Sequence, residues 1–567
     1  MPRKSKITIP QLSDDGIHPG GSDIANRSWK ASGHRRYQRL STGESIGLGV
    51  EFNADVSEPE QVIIQIERIS GGHIEPQQFT MTQQQVGFYS AKVQINEHGV
   101  HRFKVKYLKD DVWYWDSAPF GWLMIDSAEI NKLRIYTFIP PVSGCMKQWR
   151  TDLQRAADMG FNAVHILPIT TMGFSESPYA AHDLFSVDPS YHDPESKKTD
   201  LEQLREVVEL AKKLGLRLFF DLVLNHVCVD SILAKRRPHW LEKDMDETDG
   251  IKRAGWSDGT RWHKWRDVGL LDYEPSCKAD RDGLWEYITA YGLFWAEMAA
   301  ETGGGLRLDN LHSSHPGFIS HILSEIRNLF PDIIVLGEFF GDWDTMEQRV
   351  LEYGLDLLTA TPWELKFAPH LRGHIKHLHE SRKRFRFYFP ACSHDSGGPV
   401  DEYGNVRAIL PRLAISALMG PGPWGVTQGT EFAVENKINF IGRREQRTRF
   451  PKCPEFMELL TWLNELVENN STIFLHAGNI RFLKEDHDAV ITVIRLDPTT
   501  GKEAFLIAAN MDPNNGYSVD IDLDRHLLKR KAPFIDMKTK EAFDVSKETL
   551  IMQVPAAGCR VYQIPEE

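Results

Sequence analysis

Cysteine is scarce in this 567-residue sequence, and no two of its six cysteines form a Cys-x-x-Cys pair. Scattered cysteines are typical of reduced thiols, and they argue against a disulfide framework or a zinc site. We therefore expect a cytoplasmic protein without structural zinc. The six positions are Cys145, Cys228, Cys277, Cys392, Cys453 and Cys559.

Long apolar runs and excess positive charge are also missing. No stretch approaches the roughly 20 apolar residues that a transmembrane helix needs. The basic residues near the amino terminus are followed by no apolar segment, which argues against a secretory signal or a membrane anchor. The formal net charge is −13, whereas nucleic acids and anionic membranes attract clusters of Lys and Arg. The sequence thus predicts a soluble protein with a neutral ligand, not a nucleic-acid or membrane partner.

Hydrophobic patterning divides the chain into a tail and three domains. Residues 1–36 are polar and Gly-rich, and we predict a flexible tail there. Residues 37–126 show short alternating runs separated by turn residues, which is typical of an antiparallel β-sandwich of the Ig-like or carbohydrate-binding type. The same pattern returns after residue 468 and predicts a second β-sandwich over residues 469–567.

The central region, residues 127–468, alternates apolar strands with helices. One helix opens with a Thr199/Glu202 capping box and stops at Gly215. The strands are apolar on both faces, as parallel strands covered by helices must be, and eight of them predict a (β/α)8 barrel. A stretch at about 227–285 is too long for an ordinary loop and predicts a small excursion above the barrel. The strand candidates lie at 133–140, 162–169, 216–224, 305–310, 332–340, 357–363, 386–395 and 424–432.

Polar residues stand at the carboxyl ends of four of these strands, where barrel enzymes place their active sites. Each residue alone would suit a helix cap, a turn or a structural ion pair. Their occurrence together, at four strand ends, favours a functional pocket. The residues are Asp221, Asn225 and His226 on the third strand, Arg307 and Asp309 on the fourth, Glu338 on the fifth, and His394 and Asp395 on the seventh.

Two of these carboxylates suit the cleavage of a glycosidic bond. In retaining glycosidases one carboxylate attacks the anomeric carbon and the other, roughly 5–5.5 Å away, protonates the leaving oxygen. Asp309 and Glu338 stand on neighbouring strands, which gives about that separation. Arg307 shares a strand face with Asp309 and is expected to keep it ionised. Glu338 is expected to hold a proton in a drier setting.

The motifs resemble those of glycoside hydrolase family 13, the α-amylase family. The matching segments are DLVLNH (221–226), GLRLD (305–309), VLGEFF (335–340), SHD (393–395) and GPGPWGVTQGTE (420–431). The resemblance implies that Asp309 is the nucleophile, that Glu338 is the general acid/base and that Asp395 grips ring hydroxyls. It also implies that Tyr179 stacks beneath the same sugar, whose subsite is lined by Asp221, His226, Arg307 and His394.

Within that family, three segments most resemble the 4-α-glucanotransferase part of glycogen debranching enzymes: 173–191, 265–287 and 307–314. A second likeness is to maltosyltransferases that use maltose 1-phosphate and share an Asp-Asn-x-His arrangement. Many amylases carry Lys-His three and four residues after the nucleophile. Here His312 and Ser313 stand there, so His312 is a candidate substrate contact and the acceptor subsites differ.

The implied function is a retaining enzyme that cleaves α-1,4-glucosidic bonds in an α-glucan or malto-oligosaccharide and passes the glycosyl unit to a glucan or to water. One alternative is an α-amylase or α-glucosidase type of hydrolase. Another is a maltosyltransferase using maltose 1-phosphate, which would need basic residues near the pocket, such as Lys264, Arg266 or Arg382 to Arg386. A non-catalytic barrel is disfavoured because all three carboxylates are present. No cofactor is required; Asn225 is a candidate ligand of the calcium that the family often binds. The sequence predicts no oligomeric state.

Overall fold

The computed structural model describes residues 17–29, 37–69, 75–257, 260–444, 446–526, 528, 532–545 and 548–565. Within them, eight parallel strands close into a barrel, and largely antiparallel sheets flank it on both sides in sequence. The predicted fold class is confirmed.

Two sheets precede the barrel and pack their apolar faces together. Their strands are β1 (His18–Pro19), β2 (Ile24–Arg27), β3 (Gln38–Ser41), β4 (Ser45–Phe52), β5 (Gln61–Arg68), β6 (Gln77–Thr80), β7 (Thr82–Gln85), β8 (Phe88–Gln94), β9 (Gly99–Lys109), β10 (Val112–Trp115) and β11 (Gly121–Asp126). One sheet runs β1-β10-β9-β11-β3, with β5 and β6 joined through β9, and the other runs β2-β4-β8-β7. Val50, Ile64 and Val105 are fully buried between them.

Part of the predicted tail belongs to these sheets. Strand β1 pairs with β10, and β2 pairs with β4, so the prediction of a flexible tail is wrong for residues 18–27. Strands of two and four residues are too short to show an alternating pattern, which is why the sequence did not reveal them. Residues 1–16 and 30–36 of the predicted tail lie outside the described residues.

Each of the eight predicted barrel strands contains an observed one. The central strands are β12 (Arg134–Phe138), β13 (Ala163–Ile166), β14 (Thr170–Met172), β15 (Ala181–Val187), β16 (Arg217–Val223), β17 (His226–Cys228), β18 (Arg253–Ser257), β19 (Trp262–Leu270), β20 (Gly305–Asp309), β21 (Ile334–Gly337), β22 (Leu357–Thr359), β23 (Phe387–Pro390) and β24 (Trp424–Thr427). The barrel runs β12-β13-β16-β20-β21-β22-β23-β24, and β24 pairs with β12 to close it.

Strand periodicity explains why polar groups gather at one end of this barrel. Residues two apart share a strand face. Phe219 and Leu336 fill the lower barrel with other apolar side chains, and Asp221 and Glu338 stand two positions further along the same strands. The upper layer of side chains is therefore polar, and it lies at the carboxyl ends of the strands.

Helices surround the barrel and include the predicted capping box. Thr199 Oγ1 accepts the Glu202 N–H (3.3 Å) and Glu202 Oε2 accepts the Thr199 N–H (2.7 Å). No helix among the described residues is both long and apolar enough to span a bilayer. The helices are α1 (Pro140–Ser143), α2 (Met146–Asp158), α3 (Asp200–Lys213), α4 (Ile232–Arg236), α5 (Lys278–Ala300), α6 (Pro316–Leu329), α7 (Trp343–Tyr353), α8 (Ala368–Glu380), α9 (Pro399–Tyr403), α10 (Ile409–Met419), α11 (Pro454–Asn469) and α12 (Ser471–Phe474).

Two further regions complete the chain. The excursion after the third barrel strand contains helix α4 and the sheet β17-β19-β18, which begins at His226. The carboxyl-terminal strands form the sheets β25-β26-β27-β32-β29-β30 and β28-β31. Their bounds are β25 (Ile480–Leu483), β26 (Val490–Leu496), β27 (Glu503–Asn510), β28 (Tyr517–Asp522), β29 (Phe534–Asp536), β30 (Ala542–Phe543), β31 (Thr549–Val554) and β32 (Cys559–Gln563).

Candidate active site

One guanidinium group holds three carboxylates together at the carboxyl end of the barrel. Arg307 Nη1 lies 2.9 and 3.0 Å from the two oxygens of Asp221 and 2.7 Å from Asp309 Oδ1. Arg307 Nη2 lies 2.9 Å from Glu338 Oε2. These groups come from the third, fourth and fifth barrel strands, so the structure brings together side chains that the sequence separates by up to 117 positions.

Asp221 is the fully enclosed carboxylate of this cluster. Its Oδ2 also accepts hydrogen bonds from the Tyr179 hydroxyl (2.9 Å) and from His165 Nε2 (3.1 Å). Burial opposes ionisation, but the charge of Arg307 and the hydrogen bond from His165 outweigh it and lower the pKa of Asp221 to about 2. Asp221 is therefore a permanent negative charge in the floor of the site.

Asp309 and Glu338 face each other across the fourth and fifth strand ends. Glu338 Oε2 accepts the backbone N–H of Asn310 at 2.8 Å, and Asn310 adopts the left-handed conformation, with φ of 44°. Burial raises the pKa of Asp309 well above its usual range, and the charges of Glu338 and Asp221 add to that shift. Arg307 opposes that shift through its charge and its hydrogen bond, so its role in keeping Asp309 ionised stays a prediction. One guanidinium therefore serves three carboxylates.

Tyr179 and His394 form a stacked pair beside Asp221. Their ring centroids are 5.9 Å apart with an interplanar angle of 6°, and the Tyr179 hydroxyl lies 2.6 Å from His394 Nε2. Because the hydroxyl donates its proton to Asp221, it must accept from His394. Burial, followed by the charge of Arg307, lowers the pKa of His394 well below its usual range. Asp395 Oδ2 lies 3.2 Å from His394 Nε2, and the Asp395 side chain is 52% exposed at the mouth of the site.

His226 supports the segment that carries Tyr179. Its Nε2 donates to the Tyr179 carbonyl at 3.1 Å, and its ring lies 5.7 Å from that of Trp265. Burial lowers the pKa of His226 to about 4, so it is neutral under ordinary conditions. The structure therefore places His226 behind the site, where it orients Tyr179.

His312 stands on the Glu338 side of the pocket. Its ring lies 5.6 Å from Phe340 and 6.3 Å from Phe339. Burial lowers the pKa of His312, although Glu338 opposes that shift. A neutral imidazole beside two phenyl rings is a surface on which a sugar ring could stack.

Sequence reasoning missed His165 and one wall of the pocket. His165 stands in the apolar run NAVHILPI (162–169), so an isolated polar residue near a strand end was the available signal. A cavity of about 300 Å³ opens beside Arg307 and Glu338. Part of its wall comes from the end of the sixth strand and the segment after it, where the sequence has no comparable motif, and one residue comes from the seventh strand; these residues are Thr359, Thr361, Trp363, Glu364 and Tyr388.

Asn225, the predicted calcium ligand, belongs to no cluster of metal-binding side chains among the described residues. Asn225 is buried, and neither amide atom has a hydrogen-bond partner among the described residues. Calcium takes six to eight oxygen ligands, several of them carboxylates. Across the described ranges no three His, Cys, Asp or Glu side chains are grouped for a metal. A single orphaned amide does not make that set.

Of the basic residues predicted to bind a phosphate, Lys264 is already paired and Arg382 to Arg386 lie away from the carboxylates. Lys264 lies 2.7 Å from Glu247 and 3.3 Å from Asp244. Arg382 to Arg386 directly precede the seventh barrel strand and so lie at the opposite end of the barrel from the site. Lys437, which the sequence did not single out, donates to the Asp395 carbonyl and lies over the Phe440 ring.

Comparisons with known proteins agree with this geometry. A family model described as the glucanotransferase domain of glycogen debranching enzyme matches residues 126–241. The alpha-1,4-glucan:maltose-1-phosphate maltosyltransferase of Arcanobacterium haemolyticum is 25% identical over 412 residues, covering 67% of this chain and 57% of the relative. That of Mycolicibacterium smegmatis is 24% identical over 413 residues, covering 66% of this chain and 54% of the relative. The chain thus spans a little over half the length of these relatives.

Solved structures share the fold. The α-amylase of Geobacillus thermoleovorans, complexed with acarbose, superposes with a TM-score of 0.62 at 18% identity, covering 77% of this chain and 99% of that one. A cyclomaltodextrinase superposes with a TM-score of 0.59 at 13% identity, covering 94% of this chain and 98% of that one. The debranching-enzyme match, the maltosyltransferase relatives and the shared fold confirm the predicted resemblance and relate this chain to the α-amylase family, glycoside hydrolase family 13.

Proposed function

We propose that the protein is a retaining α-glucan enzyme that cleaves α-1,4-glucosidic bonds and transfers the glycosyl unit to a glucan, or to water. One observation carries the proposal: Arg307 contacts both Asp309 and Glu338. A single guanidinium that bridges two carboxylates keeps them close together. Double displacement requires that closeness, whereas an inverting pair stands about 6.5–9.5 Å apart to admit a water.

In the first step, an Asp309 oxygen attacks C1 of the donor sugar as the C1–O4 bond breaks. Glu338 gives its proton to the departing O4, and the glycosyl unit stays on Asp309 as an ester. In the second step, an acceptor hydroxyl attacks C1, Glu338 takes the hydroxyl proton and the ester bond breaks. The first step requires a proton on Glu338 and an ionised Asp309, and the charge of Arg307 beside Asp309 favours that ionised form.

The remaining residues would hold the sugar and its charge. The carbocation-like transition state develops positive charge at C1, and permanently ionised Asp221 beneath the site favours that charge. Tyr179 and His394 form a rigid polar surface because each fixes the orientation of the other. Asp395, exposed at the mouth, is free to accept hydrogen bonds from ring hydroxyls.

A second candidate is maltosyl transfer from maltose 1-phosphate, the activity in the names of the curated relatives. In that reaction the leaving group is phosphate, so a cation near the pocket would help. Arg307 already pairs with three carboxylates. Lys437 donates to the backbone carbonyl of Asp395, which lines the pocket. The transferase chemistry of Asp309 and Glu338 is unchanged in this candidate.

The test is product analysis with defined donors. The purified protein is incubated with maltotriose to maltoheptaose, with glycogen, and with maltose 1-phosphate plus maltoheptaose. Asp309→Asn is the matched inactive control. Products longer than the starting oligosaccharide establish transfer, and shorter products alone establish hydrolysis. Phosphate release coupled to growth by two glucose units establishes the second candidate. No turnover of any donor would overturn the proposal.

We also propose a cytoplasmic location. All six cysteines are free, and Cys277 among them is exposed. An exposed thiol would be open to oxidation in an oxidising compartment, so free cysteines suit a reducing one. Fractionation of cells that produce the protein tests this location, and recovery outside the cytoplasm would contradict it.

A further inference from the structure

A second cavity, of about 460 Å³, lies at the opposite end of the barrel from the carboxylates. Its lining comes mainly from strands β3 and β4 of the first domain, the segment before barrel strand β23 and the segment before strand β25, and it also includes Ser28 and Asn131. We name it the junction cavity. The junction cavity is therefore separate from the sugar site described above.

One wall of the junction cavity is cationic. Arg39, Arg382, Lys383 and Arg386 line it, in a protein whose net charge is −13. Arg39 and Arg386 share buried Asp126, at 2.6 and 2.8 Å. Within the described ranges, Arg382 and Lys383 have no carboxylate partner, and both are exposed.

The acidic group that lines the cavity is Glu44. Its Oε2 accepts the backbone N–H of Ser41 at 3.0 Å. Glu44 and the nearby Asp126 contribute two negative charges, whereas the wall carries four positive charges. The junction cavity therefore keeps an excess of positive charge, which an anion would neutralise.

The shape of the junction cavity is also defined. Gly478 has φ of 88°, and a Cβ built on it would fall 2.7 Å from the Arg382 guanidinium carbon, so Arg382 packs directly on the Gly478 backbone. That contact limits where the guanidinium can go. On the other side, a Cβ built on Gly47 meets no atom within 4 Å, so Gly47 faces open space.

We propose that the junction cavity binds a small phosphate-bearing metabolite. Arg382 and Lys383 would contact the phosphate oxygens, because guanidinium and ammonium groups form strong charge-assisted hydrogen bonds with phosphate. Ser28, Gln38 and Ser45 on the facing wall offer hydroxyl and amide groups to the rest of the ligand. Small-ligand sites commonly have volumes of about 300–1,000 Å³, so a sugar phosphate would fit. Free phosphate shares the same chemistry, and the experiment separates the two.

Isothermal titration calorimetry of the full chain tests the proposal with three probes: inorganic phosphate, glucose 6-phosphate and neutral glucose. Two variants act by different means. Arg382→Gln/Lys383→Gln removes the unpaired charges, and Gly47→Trp fills the space while every charge remains. Lys212→Gln/Lys213→Gln is the matched control, since it removes two adjacent exposed cations from helix α3. Asp309→Asn reports any binding at the sugar site.

We expect both junction variants to weaken phosphate-ester binding by about tenfold or more, and the control and Asp309→Asn to change it by less than about twofold. Glucose 6-phosphate binding tighter than inorganic phosphate assigns a sugar phosphate as occupant, and equal affinities assign phosphate itself. No binding of either anion to the natural protein at millimolar concentration overturns the proposal. An equal loss of affinity in the Lys212→Gln/Lys213→Gln control also overturns the proposal, as does retained affinity in both junction variants. Because these readouts do not involve glucan turnover, they are independent of the proposed function.

Discussion

Asp221→Asn and Asp309→Asn are expected to change stability in opposite directions, although both should abolish most activity. Each replacement removes one carboxyl group from the same cluster around Arg307. The difference lies in the environment of each carboxylate. Asp221 accepts hydrogen bonds from three groups: Arg307, Tyr179 and His165. Of these three, only Arg307 donates to Asp309, which also lies beside the carboxylate of Glu338.

The size of the Asp221 effect follows from its pKa. The fold lowers that pKa from 3.8 to about 2 against the cost of burial. One pKa unit corresponds to about 1.36 kcal/mol, so ionised Asp221 contributes about 2 kcal/mol of stability at neutral pH. The Asp221→Asn variant would lose this contribution, and the unfolding temperature of the barrel should fall by about 2–5 °C.

The pH dependence has a definite sign for each residue. The stability that Asp221 contributes is present above its unfolded pKa and is lost only as pH falls through about 2. It is therefore constant over the range where the protein is handled. The pKa of Asp309 is raised, so the fold favours its protonated form. Ionising Asp309 therefore destabilises the folded protein. This destabilisation is absent below the pKa of Asp309 in the unfolded chain, and it grows as pH rises toward the pKa of Asp309 in the folded protein. Asp309→Asn should thus become relatively more stable as pH rises above 3.8, the ordinary pKa of this group.

Differential scanning calorimetry at several pH values measures both effects, and circular dichroism checks that each variant folds. Asp309→Asn should melt at or above the temperature of the natural protein near neutral pH, and Asp221→Asn should melt below it. If Asp309→Asn lost as much stability as Asp221→Asn, or if its advantage did not grow with pH, the account of the cluster would be refuted.

Three further substitutions separate catalytic from structural roles. Tyr179→Phe removes the hydroxyl that bonds Asp221 and His394, and initial rates on maltoheptaose should show kcat/KM about 10–100-fold lower; an unchanged rate would place the hydroxyl outside the mechanism. His165→Ala removes one donor to Asp221 and should lower the same rate about tenfold, which a rate within about twofold of the natural enzyme would contradict. Thr199→Ala deletes the cap of helix α3 and should cost about 1 kcal/mol of stability in a thermal scan without changing the rate; lost activity at full stability would contradict that assignment.

Much of the fold and the site could be predicted from local patterns. The eight barrel strands are continuous apolar runs, and the capping box of helix α3 is a pattern of two residues. Asp221, Arg307, Asp309 and Glu338 were found because a polar residue at the end of an apolar strand is conspicuous. These signals act over a few residues, and they do not depend on the rest of the chain.

The sequence by itself determined which residues lie at the carboxyl ends of the strands, because side-chain period and strand direction are local properties. Only the tertiary structure decided their mutual contacts. Barrel closure sets the register between strands. That register places His165 within hydrogen-bond distance of Asp221 and lets Arg307 contact three carboxylates at once. The burial of Asp309 also raises its pKa, an effect that local sequence patterns do not reveal. The tertiary structure alone also packed Arg382 against the Gly478 backbone, because contacts between residues far apart in the chain depend on how its parts pack together.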